Sequence, residues 1–490
     1  MAKVYDNATD LITFARSSSG TALRRVGYGD ELVDNSGFNS DISGWSLIGD
    51  PASSISYSSG KMLIDAVTLY DGATQTISVT PGKVYRLSAD IDLITSARAR
   101  IRAETSGVLA ITTSDGELSL VFMASSNSEL IRVDSGANTG TLTVDNISVR
   151  EVIFDRPSDD LVLFNHPDDI PRIEYAADGS LKGLLIEEQR TNLVTHSEDF
   201  THLYESNVVF THGVSSPTGG SNATIFSPTT SDANAISAIN LNLNTGSYTG
   251  SVWAKGVGSS VGKTFRMWFY HLSSTGDSGI QTFTLTDEWQ RFDVLGTVTS
   301  TGDTRFRIDV GSAHTEDFHV FGLQLEAGSF ATSYIPTSGS QQTRSADLAS
   351  IPVTAFGYNQ DAGSLLVDVN TFDNDYGNWV WELDGSSDTS LYAHGAGTGW
   401  RLFGAGGTIA YLGTLPANAS ANIGYAYDHI GSSALIDGGS ITAQTFGQPV
   451  NVATLKIGAT GPISRLNGHI KSLKYYPRRL TDAQLQELTS

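Results

Sequence analysis

Residues 84–93 read Val-Tyr-Arg-Leu-Ser-Ala-Asp-Ile-Asp-Leu, and this stretch decides the fold class. Apolar residues occupy every second position from Tyr85 to Leu93, and polar or charged residues fill the four positions between them. Because successive side chains of a β-strand point to opposite faces, this alternation predicts a strand with one buried and one solvated face. A second such stretch, Arg-Phe-Arg-Ile-Asp-Val, occurs at residues 305–310.

The composition extends this prediction to the whole chain. Glycine contributes 50 of the 490 residues, and tracts of serine, threonine and asparagine separate the apolar stretches. Such residues end strands and form turns, so we expect many short strands. One short helix is predicted over residues 481–488, where Thr481 is a suitable N-cap and Asp482 favours the positive end of the helix dipole. The sequence therefore predicts an all-β protein.

Charge and cysteine content exclude several classes of function. The net charge of −22 disfavours binding to nucleic-acid phosphates and to anionic lipid head groups. The absence of cysteine excludes disulfides and cysteine-ligated zinc or iron–sulfur sites. No stretch approaches the roughly 20 apolar residues of a membrane span. The N-terminal residues form no apolar signal-peptide core, so export by that route is not expected. We therefore expect no nucleic-acid partner and no membrane insertion.

Changes in composition divide the chain into five segments. These are an N-terminal segment with three arginines (1–33), a first β module (34–152), a connector (153–195), a second β module (196–344) and a third β module (345–490). Modules one and two contain similar stretches at corresponding places, with 81–89 matching 245–253 and 143–151 matching 319–327. This spacing is much longer than that of solenoid repeats, so it predicts the duplication of a whole domain.

Two stretches carry resemblances to known sandwich domains. Residues 35–45, Asn-Ser-Gly-Phe-Asn-Ser-Asp-Ile-Ser-Gly-Trp, make module one resemble jelly-roll carbohydrate-binding modules. Residues 465–485, which begin Arg-Leu-Asn-Gly-His-Ile-Lys, resemble the closing strand and terminal helix of laminin G-like, concanavalin A-like sandwiches. The implied architecture is tandem jelly-roll β-sandwiches followed by a concanavalin A-like β-sandwich.

A longer resemblance concerns the connector and the end of module two. Residues 183–193, Gly-Leu-Leu-Ile-Glu-Glu-Gln-Arg-Thr-Asn-Leu, are similar to a connector of bacteriophage, prophage and gene-transfer-agent structural proteins. In that family the connector leads into a jelly roll that ends as residues 324–337 do here, and residues 12–22 resemble the opening of the same proteins. This resemblance covers the chain from about residue 11 to residue 345.

These resemblances imply a virion-surface attachment protein, a head spike or fibre, that binds host capsule or cell-surface polysaccharide and is not an enzyme. Residues 1–33 would anchor it to other virion proteins, and weak single sugar sites favour a homo-oligomer, either a trimer or a pentamer. The chain would be made in the bacterial cytoplasm and released by lysis. Two alternatives remain: a polysaccharide lyase or hydrolase of a phage tail, and a capsid decoration protein without a ligand.

Sugar rings stack on flat apolar surfaces, so aromatic side chains are the candidate binding residues. The candidates are Trp45, Tyr70, Trp268, Tyr270, Trp379, Trp381, Tyr392 and Trp400. The alternative for each of these residues is that its side chain packs in a hydrophobic core and binds no sugar. In the strand predicted over residues 265–272, we expect Trp268 and Tyr270 outside and the alternate apolar residues inside. Trp379 and Trp381 are expected to share one strand face, which with Trp400 makes module three the leading binding hypothesis.

Neither metal nor catalytic motifs are prominent in the sequence. No cofactor is required, and the resemblance to jelly-roll modules implies at most a calcium ion, for which Asp41 and Asp145 are the matching acidic residues. Calcium takes six to eight oxygen ligands, and the alternative is that both residues are ordinary turn and strand-edge positions. Glu187 and Glu188 are adjacent on a predicted strand and would point to opposite faces, which argues against a catalytic carboxylate pair.

Overall fold

A computed structural model describes most of residues 12–490. The residues outside the description are 1–11, 232–235, 272–276, 311–313, 373–377, 385–388, 394–398, 404–408, 415–417, 445–448, 450 and 461–463. Strands dominate the described residues, which confirms the all-β prediction. The α-helix α1 spans Asp482–Thr489, and Thr481 and Gln484 form a capping box at its start. No helix within these described ranges is both long and apolar enough to span a membrane.

The strands of the first half of the chain are short and follow one another closely. The bounds are β1 (Thr13–Ala15), β2 (Gly20–Glu31), β3 (Ser46–Ile48), β4 (Ser54–Ser58), β5 (Lys61–Ala66), β6 (Gly72–Ser78), β7 (Val84–Leu93), β8 (Ala99–Ala103), β9 (Val108–Thr112), β10 (Gly116–Met123), β11 (Ser128–Asp134), β12 (Gly140–Phe154), β13 (Asp160–His166), β14 (Ile173–Tyr175), β15 (Leu181–Ile186), β16 (Arg190–Asn192), β17 (Tyr204–Ser206), β18 (Val208–Val214), β19 (Ala223–Pro228) and β20 (Ile236–Leu243).

The second half continues in the same way up to helix α1. The bounds are β21 (Gly246–Gly256), β22 (Thr264–His271), β23 (Asp277–Thr284), β24 (Gln290–Val298), β25 (Gly302–Asp309), β26 (Phe318–Ala327), β27 (Gln342–Arg344), β28 (Leu348–Pro352), β29 (Gly363–Thr371), β30 (Asn378–Asp384), β31 (Thr389–Ala393), β32 (Trp400–Phe403), β33 (Ile409–Gly413), β34 (Ser420–Tyr427), β35 (Ser432–Ile436), β36 (Thr442–Gln444), β37 (Thr454–Ile457), β38 (Ala459–Thr460), β39 (Ser464–Arg465) and β40 (Gly468–Tyr476).

The chain forms two compact units. One unit is the continuous segment Arg25–Asp160. The other comprises the described residues up to Arg24 together with Leu161–Ser490. Strand β2 begins in the longer unit and ends in the shorter one.

Modules one and two are β-sandwiches with the same strand order. In module one, one sheet runs β3-β6-β11-β8-β9 and the other contains β10-β7-β12, with β5 and then β4 beside β12. In module two, the corresponding sheets run β17-β20-β25-β22-β23 and β24-β21-β26-β19-β18. In each module, apolar side chains from both sheets share one core. The predicted duplication requires this identical order, in which β7 corresponds to β21 and β12 to β26.

The third sandwich is built from distant parts of the chain. Its two seven-stranded sheets run β1-β28-β37-β30-β31-β32-β33 and β14-β15-β40-β29-β34-β35-β36. Strand β1 comes from the predicted anchoring segment, and β14 and β15 come from the predicted connector. Sheet membership therefore crosses the boundaries expected from sequence. The described part of the 1–33 segment contributes strands β1 and β2 to sheets, which corrects the idea that all of it is a separate anchor.

Five buried charged side chains join these distant segments within the longer unit. Arg16, Arg172 and Arg344 surround the carboxylates of Glu187 and Asp347, and each of the five side chains is at most 1% exposed. Arg172 lies 2.8 Å from Glu187 and also pairs with Asp347, while Arg16 lies 3.3 Å from Asp347. We call this set the buried ion cluster. Charges so far from water persist only when they are paired, so each segment depends on the others.

The buried ion cluster changes the proton affinity of its members. Burial alone would raise the pKa of Glu187, but Arg344, Arg172 and hydrogen bonds from Ser333 outweigh it and lower the pKa to about 2. Burial and the neighbouring Arg172 lower the pKa of Arg16 to about 10, against the opposing effect of Asp347. Both groups therefore remain charged at neutral pH.

Candidate functional site

Three of the predicted stacking residues lie in cores. Trp45 is 7% exposed, Trp381 is 1% exposed and Trp400 is fully buried, and each packs within the core of its own sandwich. A sugar ring cannot stack on a buried indole, so the binding roles expected for these residues are corrected. This removes the two central residues of the leading hypothesis for module three.

Trp379 and Trp381 do not share a strand face as predicted. The pairing of β30 with β31 shifts register between these two residues. Consecutive side chains Val380 and Trp381 both enter the core, while Trp379 stays partly exposed outside that core cluster. A β-bulge interrupts the period of two, and no pattern of apolar residues in this stretch announces it. Tyr392 lies in β31 opposite Trp379, and its side chain falls outside the described part of the chain.

The strand β22 of module two carries the surviving aromatic candidates. Phe265, Met267 and Phe269 are fully buried in the core, which confirms the predicted inner face. Trp268 and Tyr270 alternate with them and therefore lie on the outer face of the sheet β17-β20-β25-β22-β23. Tyr270 is partly exposed, whereas Trp268 is only 5% exposed.

Arginines of the neighbouring strand β25 cover these rings. Arg307 lies directly opposite Trp268 in the strand pairing, and Arg305 lies opposite Tyr270. The guanidinium carbon of Arg307 is 3.9 Å from the ring centre of Tyr270 and 5.7 Å from that of Trp268. The guanidinium carbon of Arg305 is 5.3 Å from the ring centre of Tyr204, which is 51% exposed. We call these five residues the Arg–aromatic face.

The Arg–aromatic face continues onto strand β20. Asn240 lies opposite Arg305 in the pairing of β20 with β25, and both Asn240 and Asn242 are exposed. The indole N–H of Trp268 has no hydrogen-bond partner within the described residues, since the arginines above it offer no acceptor. The surface thus combines rings, guanidinium groups and amides, which are the groups that bind sugar hydroxyls and apolar sugar faces.

A cross-strand ion pair borders the Arg–aromatic face. The Nε and Nη2 atoms of Arg266 donate to the two carboxylate oxygens of Asp309 at 2.8 and 2.7 Å. Asp309 is fully buried, and its charge compensates that of Arg266. Within the described residues, no carboxylate forms an ion pair with Arg305. The Arg266–Asp309 pair is thus neutral as a whole and fixes β22 against β25 at the edge of the face.

Module one has the same ion pair in the same register. Arg100 on β8 lies opposite Asp134 on β11, and its Nε and Nη2 donate to that carboxylate at 3.0 and 2.8 Å. Arg132 precedes Asp134 by two residues, as Arg307 precedes Asp309, and the Nε of Arg132 lies 2.8 Å from the Asp134 carboxylate. In module one, Arg102 occupies the position equivalent to Trp268, since it lies opposite Arg132 as Trp268 lies opposite Arg307.

That arginine, Arg102, is itself paired with Glu104 at 3.0 Å. Tyr70, another predicted stacking residue, is 41% exposed, and the guanidinium of Arg100 lies 4.6 Å from its ring centre. The arginines Arg100, Arg102 and Arg132 of module one are therefore all paired with acidic side chains.

A separate cleft of about 370 Å³ lies in the longer unit. Its walls include Glu174 and Lys182 of the connector hairpin together with Trp253 and Arg291 of module two. Burial alone would raise the pKa of Glu174, but a hydrogen bond from His469 and the charge of Lys182 lower it. The Arg291 guanidinium donates to the carbonyl oxygen of Thr332 and to the hydroxyl of Ser251, and these two bonds hold it against the wall of the cleft.

The predicted calcium ligands bond to neighbouring protein groups. One carboxylate oxygen of Asp41 accepts hydrogen bonds from the backbone N–H and the hydroxyl of Ser43 at 2.9 and 2.7 Å, and from Asn35 at 3.1 Å. Asp145 accepts from the backbone N–H of Asn146 at 2.8 Å. Among the described side chains, no group of three or more histidines or carboxylates is placed to hold a metal ion. Calcium binding stays a prediction.

One serine-hydrolase-like spacing occurs in module two. Residues 258–262 read Gly-Ser-Ser-Val-Gly, which fits Gly-x-Ser-x-Gly. The Ser260 hydroxyl is buried, donates to the carbonyl oxygen of Val257 at 2.9 Å and accepts from the N–H of that residue at 2.8 Å. The segment is a short turn between two strands, without the exposed nucleophile of a strand-to-helix elbow.

The Arg–aromatic face was only partly predictable. Its two ring positions on β22 follow from alternation, and alternation also places Arg305 and Arg307 on the polar face of the 305–310 stretch, but it assigns these arginines no role. The sequence does hold a signal for them, since Arg-Val-Asp at 132–134 and Arg-Ile-Asp at 307–309 occupy equivalent places in the two modules. Tyr204 and Asn240 had no local signal, because only strand pairing brings them to the face.

Comparisons with known proteins found only a general similarity to other β-rich structures. No family model and no curated protein matches the chain. Among solved structures, the tandem CBM22 domains of Paenibacillus barcinonensis Xyn10C match at 10% identity and a TM-score of 0.23, over 63% of this chain and 100% of that chain. Domain 4 of the Geobacillus stearothermophilus arabinanase AbnA matches at 14% identity and a TM-score of 0.25, over 33% of this chain and 81% of that chain.

Enzymes also occur among the matched structures. A Trypanosoma rangeli sialidase matches at 11% identity and a TM-score of 0.25, over 96% of this chain and 92% of that chain. This finding corrects the expectation that the protein is not an enzyme, and that expectation is not kept. Similarity at this level places the chain in none of these families and assigns it no activity. None of the three is a virion protein.

Proposed function

We propose that this protein is a polysaccharide-binding attachment protein of a virion surface, and that it binds through the Arg–aromatic face of module two. The observation that carries the binding role is the arrangement of Tyr204, Tyr270, Arg305 and Arg307 on one sheet face, with exposed Asn240 beside them. Rings held by stacked arginines lose little conformational freedom when a ligand binds, which favours affinity.

The virion role is supported by the resemblance of residues 183–193 and 324–337 to phage-type structural proteins. Many copies on one particle would turn weak single sites into strong attachment, because linked binding events raise the effective concentration. A homo-oligomer, trimeric or pentameric, and a contact with other virion proteins through the 1–33 segment belong to the same proposal.

Binding is tested by the electrophoretic mobility of the protein in gels that contain capsule or cell-wall polysaccharide. Replacing both Tyr204 and Tyr270 by alanine removes two ring contacts worth about 0.5–1.5 kcal/mol each, so we expect affinity to fall roughly 5- to 150-fold. The matched control is Tyr70→Ala, which removes an exposed tyrosine from the equivalent side of module one and should leave binding intact. Unchanged mobility of the double variant, with an unchanged melting temperature, would refute the assignment.

The virion location has its own test. Antibody labelling of purified particles from a producing strain, viewed by electron microscopy, should place the protein at a defined surface position. Mass measurement of the purified protein should give three or five copies. Absence of label from particles, in a strain whose lysate contains the protein, would remove the virion role and leave the binding role standing.

A further inference from the structure

We infer that the cleft of the longer unit binds a neutral sugar, and that Asp293 accepts hydrogen bonds from the hydroxyl groups of that sugar. This inference goes beyond the proposed function, because it assigns a second binding site on another surface. The cleft lies against the sheet of module two that contains β21 and β24, whereas the Arg–aromatic face belongs to the opposite sheet of that sandwich. A ligand in one site therefore leaves the other site free.

Alternation along two paired strands forms one wall of the cleft. Val252 and Ala254 of β21 are buried in the core of module two, so Trp253 between them points to the other side of the sheet. On the neighbouring strand β24, Arg291 lies opposite Trp253, and Asp293 follows on the same side two residues later. The side chains Trp253, Arg291 and Asp293 all line the cleft.

The size and the remaining walls of the cleft suit one small ligand. Its volume of about 370 Å³ lies at the lower end of the range of roughly 300–1,000 Å³ that small-molecule sites occupy. Phe372, which follows strand β29, lines the cleft and is partly exposed, so its ring can contact the apolar face of a sugar. Trp253 is only 6% exposed and offers no stacking surface. Its indole N–H has no hydrogen-bond partner within the described residues, and a buried donor of this kind is stabilised when it gains an acceptor oxygen.

The charged groups in the wall compensate one another, so the cleft favours a neutral ligand over an ion. Glu174 lies 2.5 Å from His469 and 3.6 Å from Lys182. Burial raises the pKa of Asp293, and the nearby charge of Arg291 opposes that rise. A sugar that carried a charge of either sign would meet a like charge in this wall, and such a contact costs free energy.

Asp293 is the carboxylate of the cleft that is left to bind a ligand. Of the three carboxylates in the wall, Glu174 pairs with His469, and Glu187 pairs with arginines of the buried ion cluster. The Asp293 side chain is exposed and has neither a hydrogen bond nor a close ion pair with any described residue. Its two oxygens can therefore accept hydrogen bonds from neighbouring hydroxyl groups of one sugar.

The experiment follows tryptophan signals, because each of the two sites contains one tryptophan. The full chain is labelled with 5-fluorotryptophan, and the fluorine NMR signals of the two residues are assigned with Trp253→Phe and Trp268→Phe. The labelled protein is then titrated with the methyl glycosides of glucose, galactose, mannose and xylose. At least one of these sugars should shift the Trp253 signal until it saturates, and its acidic analogue glucuronate or galacturonate should bind roughly 5-fold or more weakly.

The outcomes separate this inference from the proposed function. A shift of the Trp268 signal alone would show binding at the Arg–aromatic face and not in the cleft, which overturns the inference and supports the proposed function. If none of the four glycosides shifts the Trp253 signal, or if the acidic analogues bind as tightly as the neutral sugars, the inference is overturned as well. The gel mobility of the protein with polysaccharide tests the proposed function in either case.

Two variants test the named contacts. Asp293→Asn keeps the shape of the side chain but removes its charge, so the sugar should bind roughly 5- to 10-fold more weakly. Phe372→Leu keeps an apolar side chain but removes the flat ring and should weaken binding roughly 2- to 10-fold. The matched control is Asp287→Asn, which changes an exposed carboxylate just before β24 and outside the cleft wall, and it should leave affinity unchanged. Equal affinity of Asp293→Asn and wild type, at equal melting temperature, would contradict the role of Asp293.

Discussion

Removing one carboxylate from the buried ion cluster should destabilise the longer unit strongly. Asp347 contacts Arg16, Arg172 and Arg344, and it also accepts the backbone N–H of Glu187 at 2.9 Å. Asparagine has nearly the same shape but no charge, so Asp347→Asn leaves three buried guanidinium groups with a single carboxylate. Breaking a buried pair in this way costs about 3–5 kcal/mol.

This energy converts to a modest but measurable shift in melting temperature. The longer unit contains about 350 residues, and for a unit of that size roughly 1–2 °C of melting temperature corresponds to 1 kcal/mol. We therefore expect the transition of this unit to fall by roughly 3–10 °C in scanning calorimetry, with a matching decrease in the urea midpoint. The transition of the unit Arg25–Asp160 should stay where it is and serve as an internal reference.

The control is a pair of similar chemistry near the surface. Lys263 and Glu316 lie 3.7 Å apart with side chains 42% and 30% exposed, so Glu316→Gln should cost less than about 1 kcal/mol. If Asp347→Asn shifts the transition no more than Glu316→Gln does, the buried ion cluster does not stabilise the unit. The interpretation of its burial would then be wrong.

Four other outcomes follow from the structure. The pKa of Glu187 is lowered to about 2 from an ordinary 4.5, so the stability that its ionised form contributes is complete above pH 4.5 and lost as the pH falls towards 2; the urea midpoint should decline over that range. Gly296→Ala places a methyl group into the ring of Phe269 and should cost about 1–3 kcal/mol in urea unfolding. Trp400→Ala should cost about 3–5 kcal/mol yet leave glycan affinity unchanged in the folded fraction, because its indole is in the core. Thr481→Ala should lower stability by about 1 kcal/mol through loss of the helix cap, measured by urea unfolding.

Local patterns predicted the parts of this fold that depend on local contacts. The alternation over residues 84–93 and 305–310 corresponds to strands β7 and β25, and the helix cap at Thr481 is as expected. The duplication was also visible, because a repeated sandwich repeats its strand-forming stretches in order.

Features that depend on pairing between distant segments were not predictable. Strand β1 pairs with β28, more than three hundred residues later, and the sequence of neither strand indicates which strand it pairs with. The bulge between Trp379 and Trp381 is visible only in the pairing of β30 with β31, and with it a predicted binding residue lies in the core. The Arg–aromatic face depends on the register of β22 against β25, because that register sets Arg307 over Tyr270 and Trp268. The sequence of either strand alone does not give this register.

The continuous unit Arg25–Asp160 interrupts the chain of the longer unit, and its two ends are neighbours. Val26 lies opposite Phe154 in the strand pairing, and the N–H of Asp155 donates to the carbonyl oxygen of Arg25 at 3.1 Å. A segment that enters and leaves at adjacent residues is a tolerated insertion in many proteins. In evolutionary terms it is a cassette: recombination at its two ends would exchange one sandwich for another in a single event, while the strands and charges of the longer unit were inherited together.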